Sequence, residues 1–181
     1  TFFFVKTSFA LIEIDITRGN LNPLPIAVSP LHVESKSSEV LEEIMVGSEI
    51  SKIIEINLLR SGLFNPLEKD SFVQKPDIAH LKPRFEDWKL IKAQALITGK
   101  INITNNKLRV EFRLWDVLAA KEMVALAFTT VPTNWRRVAH IITDKIYKRL
   151  TGEEGYFDTR IIYVSEKGPK NQRIKKLAIM D

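Results

Sequence analysis

His140 and Asp144 lie four residues apart in NWRRVAHIITDKIYKRL, a spacing that on a helix brings an imidazole and a carboxylate to one face. Such a pair is the minimum for general-base chemistry. On this stretch, however, Trp135, Val138, Ile142, Ile146 and Leu150 form the apolar stripe, and Arg136, Arg137, His140, Asp144 and Lys148 face away from it. A surface ion pair accounts for both residues without catalysis. The histidines, His32, His80 and His140, are far apart in sequence and show no HxH or HExxH spacing, so no metal site is expected. The chain has no cysteine, which excludes disulfides, zinc-thiolate sites and thiol nucleophiles and leaves the redox compartment open. The acidic neighbours Glu42-Glu43, Glu86-Asp87 and Glu153-Glu154 diverge on a helix and cannot form an acid/base dyad. No phosphate-binding GxxxxGK[ST], dinucleotide-binding GxGxxG or nucleophile-elbow GxSxG occurs, and the glycines do not cluster. The residues give no positive reason to expect an enzyme, and no catalytic residue, cofactor or metal is assigned.

A net charge of +5 permits contact with nucleic acid or anionic lipid. The excess is spread thinly through Arg109, Arg113, Arg136, Arg137, Lys148 and Arg149, thickening only near Lys167 to Lys176. Nucleic-acid binding needs basic and aromatic side chains on one face. Arg109, Arg113 and Trp115 share a face of one expected strand and make the alternative reading, a nucleic-acid-binding α/β domain. Glu111 between the arginines weakens it.

The more distinctive feature is at the start. Leu11-Ile12-Glu13-Ile14-Asp15-Ile16-Thr17 alternates strictly, isoleucines on one side and polar residues on the other. Arg18-Gly19-Asn20 and then Pro23 and Pro25 separate it from the body of the chain. Such a strand can join an edge of its own sheet or add to a partner's sheet. The preceding TFFFVKTSFA is apolar, and Ser8 and Ala10 sit at −3 and −1 of a possible cleavage before Leu11, as in the end of a signal peptide.

The elements that must position these residues read as one domain with a new unit beginning behind it. Ile26-Ala27-Val28, between Pro25 and Pro30, is a short strand. Two short helices are expected next, the first ending at Gly47 and the second capped by Ser48 and closed by Gly62. Residues 63–83 read as loop, and 85–90 as a helical turn around Trp88. Then comes an antiparallel meander: Ala93, Ala95, Ile97, Ile101 and Ile103 line one strand, Asn105-Asn106 turns, and Leu108, Val110, Phe112 and Leu114 line the next. The third strand, Glu122 to Val131, is apolar on both faces and is expected to be central or covered. Thr133 caps the amphipathic helix, which Gly152 ends. Finally Arg160 to Val164 and Ile174 to Met180 form a hairpin around Gly168-Pro169. The expected fold class is α/β: a mixed open sheet with an antiparallel meander and two main helices packed on it, followed by an incomplete hairpin unit.

Several stretches taken together resemble the TolB family of the Tol-Pal system: LIEIDITRGNLNPLPIAV, RSGLFNPL, ALITGKI, NWRRVAHIITDKIYKRLTGEEGYFDTRIIYVSE and GPKNQRIKKLAIMD, in that order. The resemblance implies an N-terminal α/β domain followed by a six-bladed β-propeller, with residues 1–10 a signal-peptide remnant, 11–151 the α/β domain and 152–181 a truncated start of the propeller. It implies a non-catalytic periplasmic protein that maintains outer-membrane integrity and assists constriction at cell division. The implied partner is TolA, an inner-membrane protein bound by the exposed N-terminal segment. Here that segment is Leu11, Ile12, Glu13, Ile14, Asp15, Ile16 and Thr17. The lipoprotein Pal, the family's other main contact, uses the propeller. Residues Ser37 to Gly47 look like an insertion relative to the family.

Overall fold

The computed structural model describes residue 12 and residues 22–34 and 40–180. In chain order it contains β1 (Leu24–Val28), β2 (His32–Val33), α1 (Val40–Arg60), β3 (Phe64–Pro66), α2 (Pro76–Ala79), α3 (Phe85–Leu90), β4 (Ala95–Thr104), β5 (Lys107–Asp116), β6 (Lys121–Thr130), α4 (Trp135–Thr151), β7 (Ile161–Lys167) and β8 (Ile174–Met180). The main sheet runs β3-β1-β4-β5-β6, with β2 also paired to β4. β1 lies parallel to β3 and β4, whereas β4, β5 and β6 form the antiparallel meander. The mixed open sheet and its two main helices therefore match the expectation.

One face of the sheet carries the main core. Ile26 and Val28 of β1, Ile97 and Ile101 of β4, and Val110, Phe112 and Leu114 of β5 pack against Ile50, Ile54 and Leu58 of α1 and Ile142, Ile146 and Leu150 of α4. The period-two apolar pattern of the strands meets the helical stripes here, which is why both helices lie on this side. Gly152, at the end of α4, takes the left-handed conformation with φ 78°, and its N–H donates to the Lys148 carbonyl. Asn105 and Asn106 both have positive φ, 52° and 57°, as the tight turn between β4 and β5 requires.

Four expectations are corrected. The two short helices are one, α1, and Gly47 is a point where that helix passes close to β4 and Leu31. A Cβ there would lie 3.3 Å from Ile101 Cγ2 and 3.5 Å from the Leu31 carbonyl oxygen. Close packing outweighs the glycine's cost of about 1 kcal/mol in helix propensity. Ser48 is thus inside the helix rather than its cap. Thr133 is not a cap either; Pro132–Asn134 make a 3₁₀ turn that leads into α4. The expected loop 63–83 contains β3 and α2, and with α3 it builds a second, smaller layer on the opposite face of the sheet. There Trp88, Ala79, Leu96 and Val117 are buried together. Last, β6 is neither central nor covered. It is an edge strand, exposed along much of its length.

The hairpin β7–β8 pairs from Ile161↔Met180 to Lys167↔Ile174. Ile162, Val164, Leu177 and Ile179 are all more than half exposed, on a ribbon with no third strand among the described residues. The segment before it is fixed more firmly. Asp144 accepts the backbone N–H groups of Phe157 (2.7 Å) and Asp158 (3.1 Å), and Tyr147 stacks edge-on against Tyr156 and Phe157 at 5.5 and 5.7 Å.

Candidate functional site

Of the N-terminal segment, Ile12 alone lies within the described residues; Leu11, Glu13, Ile14, Asp15, Ile16 and Thr17 lie outside them. Ile12 is in no strand. Its side chain is partly buried against the main core, and its N–H donates to Asp116 Oδ2 at 3.3 Å. Asp116 ends β5, is 1% exposed, and uses Oδ1 to accept the Ala119 N–H at 2.8 Å. One buried carboxylate thus holds both the β5–β6 turn and Ile12. The sequence carried a partial signal: an aspartate before the Ala119-Ala120 bend is a common turn former. Its second acceptor role depends on a residue 104 positions away.

The Arg109, Arg113 and Trp115 face is also brought together, but not as a nucleic-acid surface. Trp115 Nε1 donates to Thr98 Oγ1 at 2.9 Å, and its ring meets Phe85 at 5.8 Å and packs against the smaller core cluster. Arg113 reaches Glu122 (3.2 Å) and donates to the His80 carbonyl (2.9 Å). Arg109 pairs with Glu111 (2.8 Å), and Lys100 pairs with Glu34 (2.9 Å). A cavity of about 210 Å³ between them is lined by both signs of charge. The Arg109 hydrogen bond holds the Glu111 carboxyl below its usual range, so it stays ionised and offsets the cations.

His140 and Asp144 do not form an exposed acid/base pair. Asp144 instead caps the backbone at 157–158. His140 is half-buried between the helices, where Asn57 Nδ2 donates to its Nδ1 at 2.9 Å and to Thr143 Oγ1 at 3.3 Å. Thr143 in turn donates to the Ala139 carbonyl. This is a polar clasp between α1 and α4.

The other two histidines, remote in sequence, stack face to face with ring centroids 4.3 Å apart. Burial, then the neighbouring His80, holds the His32 imidazole below its ordinary value, against the opposing pull of Asp77 and Glu34; Lys100 adds to the lowering. A lowered histidine pKa means that the unfolded chain binds the proton more readily. Stability is therefore complete above the ordinary imidazole pKa of about 6.5 and declines as pH falls below it toward the folded value. His32→Phe is expected to remove that part of the decline between pH 7 and pH 5 in urea titrations. An unchanged slope would show that this pair does not couple folding to protonation.

Among the described residues, no group of three or more histidine, aspartate or glutamate side chains is disposed to hold a metal ion, and no helix is long and apolar enough to cross a membrane. A family model described as the TolB amino-terminal domain matches residues 12–123. The Tol-Pal system protein TolB of Pelagibacter ubique (strain HTCC1062) is 72% identical over 178 residues, covering 96% of this chain and 40% of that protein. The crystal structure of TolB from Acinetobacter baumannii superposes with a TM-score of 0.68 at 22% identity, covering 94% of this chain and 39% of that one. At that identity the superposition speaks for the fold.

Proposed function

The chain belongs to the TolB amino-terminal domain family, and from that premise we propose that it acts as a non-catalytic component of the Tol-Pal envelope system in the periplasm. Its work is protein–protein contact that maintains outer-membrane integrity and supports constriction at division. The observation that carries this reading is the 72% identity to a Tol-Pal system TolB over nearly all of the chain. That relative is much longer, so the roles of the whole protein come to this chain as proposals.

Within it, residues 11–151 are the interaction domain and 1–10 a leader remnant. Residues 152–181 are the first hairpin of a β-propeller. A ribbon exposed on both apolar faces supports the last assignment, because two strands alone are marginal in water. A Pal-like lipoprotein would meet the propeller, not the α/β domain. The segment Leu11 to Thr17 binds a TolA-like inner-membrane protein by strand addition, with Ile12, Ile14 and Ile16 as anchors and Glu13 and Asp15 adding charge specificity. Burial of one isoleucine is worth about 1.5–3 kcal/mol, so Ile14→Asp is expected to weaken TolA binding tenfold or more while leaving the far-UV spectrum unchanged. Equal affinities of the two proteins in calorimetric titration would remove the segment from the interface.

A further inference from the structure

β6 is an edge without the usual protection. Natural edge strands are blunted by charges, proline, bulges or short length. Here Met123 to Thr130 contains no charged residue and no proline. The bulge in the β5–β6 ladder lies between Leu114 and Trp115, so the seven pairs from Leu108↔Thr130 to Leu114↔Val124 are regular. Among the described residues, nothing pairs with the outer edge. On the helix side Leu126 remains 41% exposed, although its register partner Phe112 is buried.

Beside that edge is a groove of about 470 Å³ between β6 and α4, lined by Val124, Leu126, Lys145, Lys148, Arg149 and Gly152. Its floor is apolar and its rim is cationic. Lys148 is paired with Glu154, so three cations face one carboxylate. Such a site favours an occupant that brings backbone donors and acceptors, an apolar side chain for the floor, and negative charge for the rim.

We propose that β6 and the adjoining groove form a docking site for an extended acidic segment of a partner protein, which joins the sheet as a further strand. Alternate side chains of that strand turn toward α4, where carboxylates meet Lys145 and Arg149 and an apolar residue covers Leu126. The proposal does not depend on the role given above to the Leu11 to Thr17 segment.

The test uses the full chain and a fluorescein-labelled, end-capped heptapeptide, Glu-Thr-Val-Thr-Glu-Thr-Val, whose alternate residues put glutamate and valine on the same face, followed by anisotropy. Saturable binding is expected. Lys145→Glu/Lys148→Glu should weaken it at least tenfold, and the same peptide methylated at every backbone nitrogen should not bind. Equal binding of the methylated peptide would overturn strand addition, since that peptide lacks the donors a ladder needs. Absence of any binding, or binding indifferent to the charge reversal, would overturn the site. Phosphatidylglycerol vesicles are the comparison: if they bind through the same lysines and the peptide does not, the groove serves a lipid surface and the proposal fails.

Discussion

Trp88→Ala is expected to lower the free energy of unfolding by about 3–5 kcal/mol in urea titration. Trp88 is 1% exposed and is the largest side chain of the smaller layer. Phe72 meets it edge-on at 5.1 Å, and Leu96 of β4 and Val117 lie in the same cluster. Its Nε1 donates to Gln74 Oε1 at 3.1 Å, an oxygen that also accepts the Arg84 N–H at 2.9 Å. Alanine would leave a cavity under α3 and take one donor from a buried acceptor, and a site closed by β4 cannot collapse to fill it. Trp88→Phe keeps most of the volume and should cost about 1 kcal/mol more than packing alone, the usual worth of the lost hydrogen bond. If the alanine variant unfolds within about 1 kcal/mol of the parent, the smaller layer is not part of the cooperative unit.

Gly99→Val should destabilise the chain by about 3 kcal/mol or more and can prevent folding outright. Gly99 lies in the middle of β4 opposite Phe112, on the face that carries the main core. A Cβ at this position would run into the Glu111 carbonyl oxygen and lie 2.8 Å from Leu31 Cδ2. The leucine could rotate, but the carbonyl belongs to the β5 backbone, so relief requires the central ladder to move. The absence of a side chain here lets the Ser29-Pro30-Leu31 link fold over β4 and so places β2 on the same strand edge as β1. Gly99→Ala separates backbone from bulk effects. It should retain a large share of the loss, measured as a shift in denaturation midpoint at constant slope. A near-neutral Gly99→Ala would show that the strand can open at this point and would remove steric exclusion as the reason for the glycine.

What periodicity alone could determine, it determined. Two strands alternate between Ala95 and Leu114, and α4 shows a stripe at Val138, Ile142, Ile146 and Leu150. These patterns arise from each residue's position relative to its near neighbours. The turn at Asn105-Asn106 and the stop at Gly152 were legible for the same reason, since positive φ is a local demand. The alternating segment from Leu11 to Thr17 reads as a strand former too, but it lies outside the described residues except for Ile12, which is in no strand.

Only the tertiary structure decided the rest, because it depends on groups distant in the chain. Gly47 reads as a break and is a crossing point, since what it approaches is Leu31 and Ile101. β6 reads as covered because it is apolar on both faces, yet sheet order makes it the edge, and order is not encoded in any one strand. His140 reads as exposed until α1 supplies Asn57, and His32 and His80 read as unrelated until β2 and α2 bring their rings together. Arg109 and Arg113 read as a basic face weakened by Glu111; the structure pairs Arg109 with Glu111 along β5 and brings Glu122 of β6 to Arg113 across the ladder. Local sequence specifies the elements through dihedral preference and amphipathic period; which surfaces remain open for a partner is set by how those elements stack.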